Sequence, residues 1–412
     1  MKRYQKTKAS QYIVVGMIII GVIGAALISS IIMRRTPFED HFAIPWAAGR
    51  AWLLESLNPY ETEIVNIAEN AIQDSPYKAI LPEEETLLLP LINLVFYLPF
   101  SLIPYTVSRL IWVTIISISI LLIAIISLSL SNWKLSPTGR VLAALMSLLW
   151  IPGLTTSLMG QLSPILILLL VLSIYLFLAG QDTTAGFILA LTAGTFNISG
   201  LVIIMILVYG IMKRRWSVVS AFVSGLAFII FISVLLIPSW PRVWLSILVG
   251  NYPNFDFLQT PLMALAAYLP GVEGFLSIFL HGLFGIYFLF MVITMKRNSE
   301  RVIKWNLFAT LVIAFLVNIR GSIHFIFLIY PALFVVFRFF SERWGILGRV
   351  ASWIILTVFI FSSWLLFLPV ETIRTPIELP LIYFGIPILV FIGMNWIRWW
   401  AIKIPRLPFE TL

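Results

Sequence analysis

Cysteine is absent, which excludes disulfides, thiolate metal sites and cysteine nucleophiles. Histidine occurs three times, at His41, His281 and His324, too few to build a His-rich metal site. Charge is scarce as well: Asp, Glu, Lys and Arg make up 11% of the 412 residues, where soluble domains carry about 25%. The signatures of common soluble enzymes, a P-loop, HExxH, GxSxG or a dinucleotide fingerprint, are also missing.

What is present is apolar. Hydrophobic residues make up 60% of the chain, and the mean hydropathy is +1.02. A chain with so little polar surface cannot fold in water, so the bilayer is its solvent. The net charge of +9 is gathered in short clusters between apolar runs: Lys2 to Lys8, Lys213 to Arg215, Lys296 to Lys304, and Arg338 to Arg349. That distribution marks cytoplasmic loops rather than a nucleic-acid surface. The first apolar run, Gln11 to Met33, is too long for a signal-peptide core and reads as a retained membrane helix.

A helix crosses about 30 Å of hydrocarbon with roughly 20 apolar residues, and on that rule about twelve segments qualify, with a range of about ten to thirteen. They lie near 11–33, 87–104, 106–130, 141–158, 162–180, 185–211, 217–237, 273–295, 304–318, 323–340, 350–369 and 381–399. The expectation is an all-α polytopic transmembrane helical bundle, one integral domain over 1–412, with both termini cytoplasmic in the plasma membrane. Two segments strain the pattern. Pro90, Pro99 and Pro104 suggest a broken or re-entrant 87–104, and Gly194 and Gly200 around Asn197 suggest two half-helices within 185–211. Two extracytoplasmic loops are expected, 34–86 and 238–272. In the first, Trp46, Trp52 and Leu53 fit an interfacial helix lying on the bilayer.

The polar residues near helix ends are the candidates for chemistry. Asp40, between Phe38 and Phe42 just after the first span, suits either a partly desolvated general base or a helix N-cap. Arg320 and His324 close a membrane hairpin, where a forked cation and an imidazole suit a phosphate or need a neighbouring helix to satisfy them. Gln161 fits a sugar or diphosphate contact, or a cap on a tight turn. Asn197 reads as helix–helix glue and His281 as a satisfied interior residue. Arg34 and Arg35 break the positive-inside trend and fit an anionic lipid headgroup or a plain surface role.

Several stretches resemble the membrane-embedded GT-C glycosyltransferases, in particular the bacterial polyprenyl-phosphate-mannose-dependent α-mannosyltransferases of glycosyltransferase family 87. The acidic first-loop motif is matched by Asp40-His41-Phe42 through Gly49, then Leu57-Asn58-Pro59-Tyr60. Phe96-Tyr97-Leu98-Pro99, Gly160-Gln161-Leu162-Ser163, Ala185-Gly186 through Ala193, and Ser322-Ile323-His324 follow in the family's order. Asn197 stands where the family usually has Lys, His41 interrupts the Asp-Phe pair, and the late Trp before the His is missing.

The resemblance implies an inverting transfer of a sugar, mannose by analogy, from a polyprenyl-phosphate-linked donor to a lipid or glycan acceptor outside the cytoplasm. Asp40 is then the general base, and Arg320, His324, Arg34 and Arg35 meet the donor phosphate. His41, Trp46, Tyr60, Gln161 and Asn197 contact substrate. No cofactor is expected, no acidic cluster compels a metal, and the partners are the donor, the acceptor and the bilayer. The competing readings are a lipid or sugar transporter and a surface-polysaccharide polymerase or ligase.

Overall fold

The computed structural model describes residues 2–82, 89–250, 260–266, 269, 271–295, 300–318, 323–367 and 385–399. The described residues are mostly helical. Helix α1 (Lys2–Arg35) leads into a first loop holding strand β1 (Phe38–Glu39), α2 (Ala43–Arg50), α3 (Glu63–Gln73) and strand β2 (Ala79–Ile80). The two strands form one short parallel pair, Phe38 opposite Ala79 and Glu39 opposite Ile80. Two short helices follow, α4 (Leu91–Leu94) and α5 (Leu98–Ser101). Next come α6 (Tyr105–Ser131), α7 (Pro137–Leu149), α8 (Ile151–Met159), α9 (Ser163–Leu178), α10 (Asp182–Leu191), α11 (Phe196–Met212) and α12 (Trp216–Leu236). After α13 (Trp240–Gly250) and α14 (Pro261–Ala266), the chain continues as α15 (Glu273–Thr294), α16 (Glu300–Leu316), a 3-10 stretch (Ile323–Ile329), α17 (Tyr330–Phe367) and α18 (Ile386–Ile397).

Among the described residues, five helices are long and apolar enough to cross a membrane, or six if the bent pair α7 and α8 is one span. Several other apolar helices, α9, α10 and α18 among them, are shorter. The outward faces suit lipid: Phe228 and Phe231 on α12, and Phe275, Ile278 and Ile286 on α15, are each more than 60% exposed. A soluble protein does not show apolar surface on that scale.

Local sequence explains the breaks. Between α7 and α8 the helix bends by 59°. There Trp150 is extended at ψ 136°, and Pro152 has no N–H to donate. At Gly345 the φ of 57° lies in the left-handed region, and the Ser352 hydroxyl reaches back to the Phe337 carbonyl at 3.4 Å. Helix α17 is therefore a hairpin, in keeping with separate apolar segments at 323–340 and 350–369. The 185–211 segment is two helices, α10 and α11, joined by a 3-10 turn over Ala193–Thr195. Their far ends meet where Arg215 Nε donates to Asp182 Oδ2 at 2.9 Å. Helix α10 packs closely on α12: a Cβ on Gly186 would lie 2.5 Å from the Val218 carbonyl oxygen, and one on Gly225 would lie 2.9 Å from the Phe187 ring. Small residues at such contacts let membrane helices approach.

Two expectations are corrected. The segment 87–104 is not a span: its described part forms only α4 and α5, four residues each, as its prolines dictate. Helix α2 does not lie on a bilayer, because Ala43 to Gly49 are all buried in the protein. The exposed apolar residues, Leu53 at 42% and Leu54 at 54%, come from the π turn that follows.

Candidate functional site

Asp40 follows β1 directly, and its backbone N–H donates to the Ile80 carbonyl at 2.9 Å, which extends the short strand pairing by one bond. Its carboxylate is wholly buried and has three partners. Oδ1 accepts the Phe42 N–H at 2.9 Å, a local turn just ahead of α2. Oδ2 accepts the Arg109 Nε–H at 3.0 Å and the Tyr105 hydroxyl. The N-cap alternative does not hold: Phe42 occupies the N-cap of α2 with no side-chain cap bond, and two of the three donors to the carboxylate come from α6.

Arg109 is as buried as the carboxylate it faces, with both side chains 0% exposed. A second nitrogen, Nη2, donates to the Leu158 carbonyl, while Nη1 is buried without a partner. Its guanidinium lies 5.5 Å from the Phe38 ring and 5.8 Å from the Phe42 ring. Behind it stands an aromatic wall: Trp112 stacks on Tyr97 at 4.6 Å and donates its indole N–H to the Gly160 carbonyl at 2.8 Å. Leaving a buried charge without its partner is expensive, so each of the two ions fixes the other.

The turn from α8 to α9 is the hub of the site. Gly160 has φ 68°, and the Gln161 and Gly160 N–H groups close onto Thr156 and Ser157 in a Schellman arrangement. The His41 N–H donates to the Met159 carbonyl at 2.9 Å. His324, 0% exposed, shares a hydrogen bond of 2.6 Å between Nδ1 and the Thr156 hydroxyl. The Ser163 hydroxyl also donates to the His324 carbonyl at 3.4 Å. Asp40, His41, Gly160, Gln161 and His324, scattered along the sequence, thus converge on one turn. Gln161 is half-buried at its edge. His41 Nε2 is buried without a hydrogen bond, 3.8 Å from the Glu39 carboxylate.

This packing makes Gly160 a sensitive position. A Cβ there would lie 3.0 Å from Arg109 Nη1 and 3.0 Å from the Phe42 Cβ, on a backbone already left-handed. Gly160→Ala is expected to lose about 1–2 kcal/mol from the left-handed strain alone, read as a lower melting temperature in detergent. An unchanged melting temperature would mean that the turn relaxes without disturbing Arg109.

Other expected residues lie elsewhere. Trp46 is only 4% exposed, donates its indole N–H to the Phe100 and Ile103 carbonyls, and packs its ring 5.5 Å from Tyr105. It is a core residue behind Asp40 rather than an exposed sugar platform, a correction that follows from the burial of α2. Tyr60 is tied to the Leu89 carbonyl at 3.0 Å. Arg34 and Arg35 are exposed at the end of α1. Asn197 is exposed at the start of α11 and donates to the Asn318 side chain at 3.1 Å, a contact that fits the glue reading. His281 bonds the Ser277 carbonyl one turn back. Arg320 lies outside the described residues. Among the described residues, no group of three or more His, Asp or Glu side chains could hold a metal ion.

Tyr105 and Arg109 carry no expectation from the sequence reading, yet they hold Asp40. The signal for Arg109 is its isolation: it is the sole charge in the 27 residues of α6, and a buried charge in an apolar helix implies a buried partner.

A bundle of apolar helices with a polar cluster of this kind at a turn between two of them belongs among membrane-embedded proteins. Residues 88–318, more than half of the chain, match glycosyltransferase family 87, and the chain belongs to that family. The matched region contains Arg109, Gly160, Gln161 and Asn197, while Asp40 and His324 lie on either side of it. No curated protein and no solved structure matches the chain.

Proposed function

We propose that the protein is an inverting glycosyltransferase that moves a sugar, mannose in the first instance, from a polyprenyl-phosphate-linked donor to a lipid or glycan acceptor on the extracytoplasmic side of the membrane. Asp40 takes the proton of the acceptor hydroxyl as that oxygen bonds the anomeric carbon. The bond from this carbon to the phosphate oxygen breaks, and polyprenyl phosphate leaves with the electron pair. Phosphate is a good leaving group, so a second carboxylic acid is not required, in contrast to hydrolysis of a glycosidic bond.

The observation that carries this reading is the state of the Asp40 carboxylate. Each of its oxygens offers about two lone pairs. Oδ2 uses both, on Tyr105 and Arg109, while Oδ1 uses one, on the Phe42 N–H. The second lone pair of Oδ1 receives the proton. Because the group is wholly buried, the acceptor reaches it only when the residues packed around it move. His324 and Arg320 meet the charge that develops on the phosphate, with Arg34 and Arg35 at the surface to hold the lipid's charged end. Gln161 and His41 line the approach. The basic loops at 213–215, 296–304 and 338–349 face the cytoplasm together with both termini, and the apolar segments cross about ten times, with 87–104 and the α10–α11 pair entering and leaving on one side.

Purified protein in detergent, given polyprenyl-phosphate-mannose and a panel of lipid and glycan acceptors, is expected to yield a product of inverted anomeric configuration. A retained configuration would overturn the single-displacement mechanism. Failure to transfer any sugar from any polyprenyl-phosphate donor would overturn the whole reading.

A further inference from the structure

The break between α10 and α11 gathers three side-chain amides that the chemistry above does not use. Asn93 on α4 is 0% exposed, and its Nδ2 makes only a long contact, 3.5 Å, to the Gly194 carbonyl. Its Oδ1 has no donor. Asn318, just past α16, is 1% exposed. Its Oδ1 accepts from Asn197 Nδ2 at 3.1 Å, while its own Nδ2 has no acceptor. Asn197 is exposed, so the group has a floor of two buried amides and a rim at the surface. Glycine at 194 is what admits Asn93, because a Cβ there would lie 2.4 Å from Asn93 Oδ1.

Buried amide atoms without partners are rare, and each is worth about 1–3 kcal/mol of lost solvation. Here the unmet acceptor lies on the residue against Gly194 and the unmet donor on the residue bonded to Asn197, both at the same helix break. That pairing selects its ligand. A phosphate has no hydrogen to give Asn93 Oδ1, and a cation has no lone pair for Asn318 Nδ2. A hydroxyl does both, and neighbouring hydroxyls on one ring do so together. We propose that the α10–α11 break is a subsite for the hydroxyls of a neutral sugar ring, with Asn93 and Asn318 as its floor and Asn197 as its rim. This rests on the transferase reading and names where it recognises a sugar. Asn318 precedes His324 by six residues, a reach of about 20 Å at most.

The test uses full-length protein in detergent with methyl α-mannopyranoside and its monodeoxy analogues as probes, followed by saturation-transfer NMR. Wild type is expected to bind the parent glycoside and to discriminate against at least one deoxy analogue. Asn93→Leu and Asn318→Leu are expected to weaken binding about five- to tenfold. They should also raise KM for the sugar-bearing substrate more than they lower kcat. Gly194→Ala, which displaces Asn93 without changing it, should act in the same direction. Asp40→Asn should still bind the glycoside. If the Leu variants bind as wild type does and melt higher, the amides hold only water and the subsite is overturned. Should a Leu variant fail to fold, Asn318→Asp keeps the shape but replaces the donor by an acceptor, and unchanged deoxy discrimination there counts against the proposal. Glycoside binding with no transfer from any polyprenyl-phosphate donor would sink the transferase reading alone.

Discussion

Asp40→Asn is expected to reduce sugar transfer by about 10²- to 10⁴-fold, the usual contribution of a positioned general base. The same substitution removes the negative member of a buried ion pair, so loss of activity by itself would not separate chemistry from architecture. The separating experiment is the neutral pair, Asp40→Asn combined with Arg109→Gln, which leaves neither charge unmatched. If Asp40 is the base, the double variant regains the melting temperature of wild type but none of its turnover. Recovery of both would show that the carboxylate serves only to anchor the first loop. The shape of position 40 is preserved in either variant, but one carboxylate oxygen becomes an N–H donor, so the melting temperature of the double variant is the control against which its turnover is read.

Arg109→Ala is expected to have the largest effect on folding, about 3–5 kcal/mol, because it strands the Asp40 carboxylate in a site from which water is excluded. Three further contacts go with it: the bond to the Leu158 carbonyl and the packing against Phe38 and Phe42. Arg109→Lys keeps the charge but loses the fork, so it should recover only part of the deficit. Thermal melts in detergent read both. Added salt should change neither, since a pair that is 0% exposed is poorly screened. A salt-sensitive melt, or an Arg109→Ala protein as stable as wild type, would mean that the pair is solvated in solution.

Much of the helical plan was legible in the sequence because hydrophobic length is a local property. The break at 193–195, the reversal near 345 and the prolines that cut 87–104 into short pieces all follow from residues within a few positions of the event. The surroundings of α2 were not legible. An apolar face tells that a helix is covered, and it does not tell whether lipid or protein covers it. The pattern around Trp46 therefore fits the bilayer equally well, although the Phe100 and Ile103 carbonyls hold it in the core. Asp40 and His324 could be singled out from their place at helix ends. Arg109 carried an equally clear signal, a lone charge in an apolar helix, but its partner lies 69 residues away with no periodic pattern to connect the two. The amides at 93 and 318 had less to mark them, since asparagine near a helix end is ordinarily a cap.

The short parallel pairing of Phe38–Glu39 with Ala79–Ile80 has an evolutionary consequence. With Lys78 N bonded to the Met33 carbonyl and Asp40 N to the Ile80 carbonyl, the segment between them leaves and returns through a single fastened neck. Lengthening a loop whose ends are already closed adds little entropic penalty, about 0.6 kcal/mol for each doubling. The exposed positions of residues 56–76 can therefore change or gain sequence while Ile64 and Ala68 stay packed in the core and the carboxylate at the neck keeps its place. On the transferase reading proposed above, exposed positions of that excursion are where acceptor preference can change without moving Asp40.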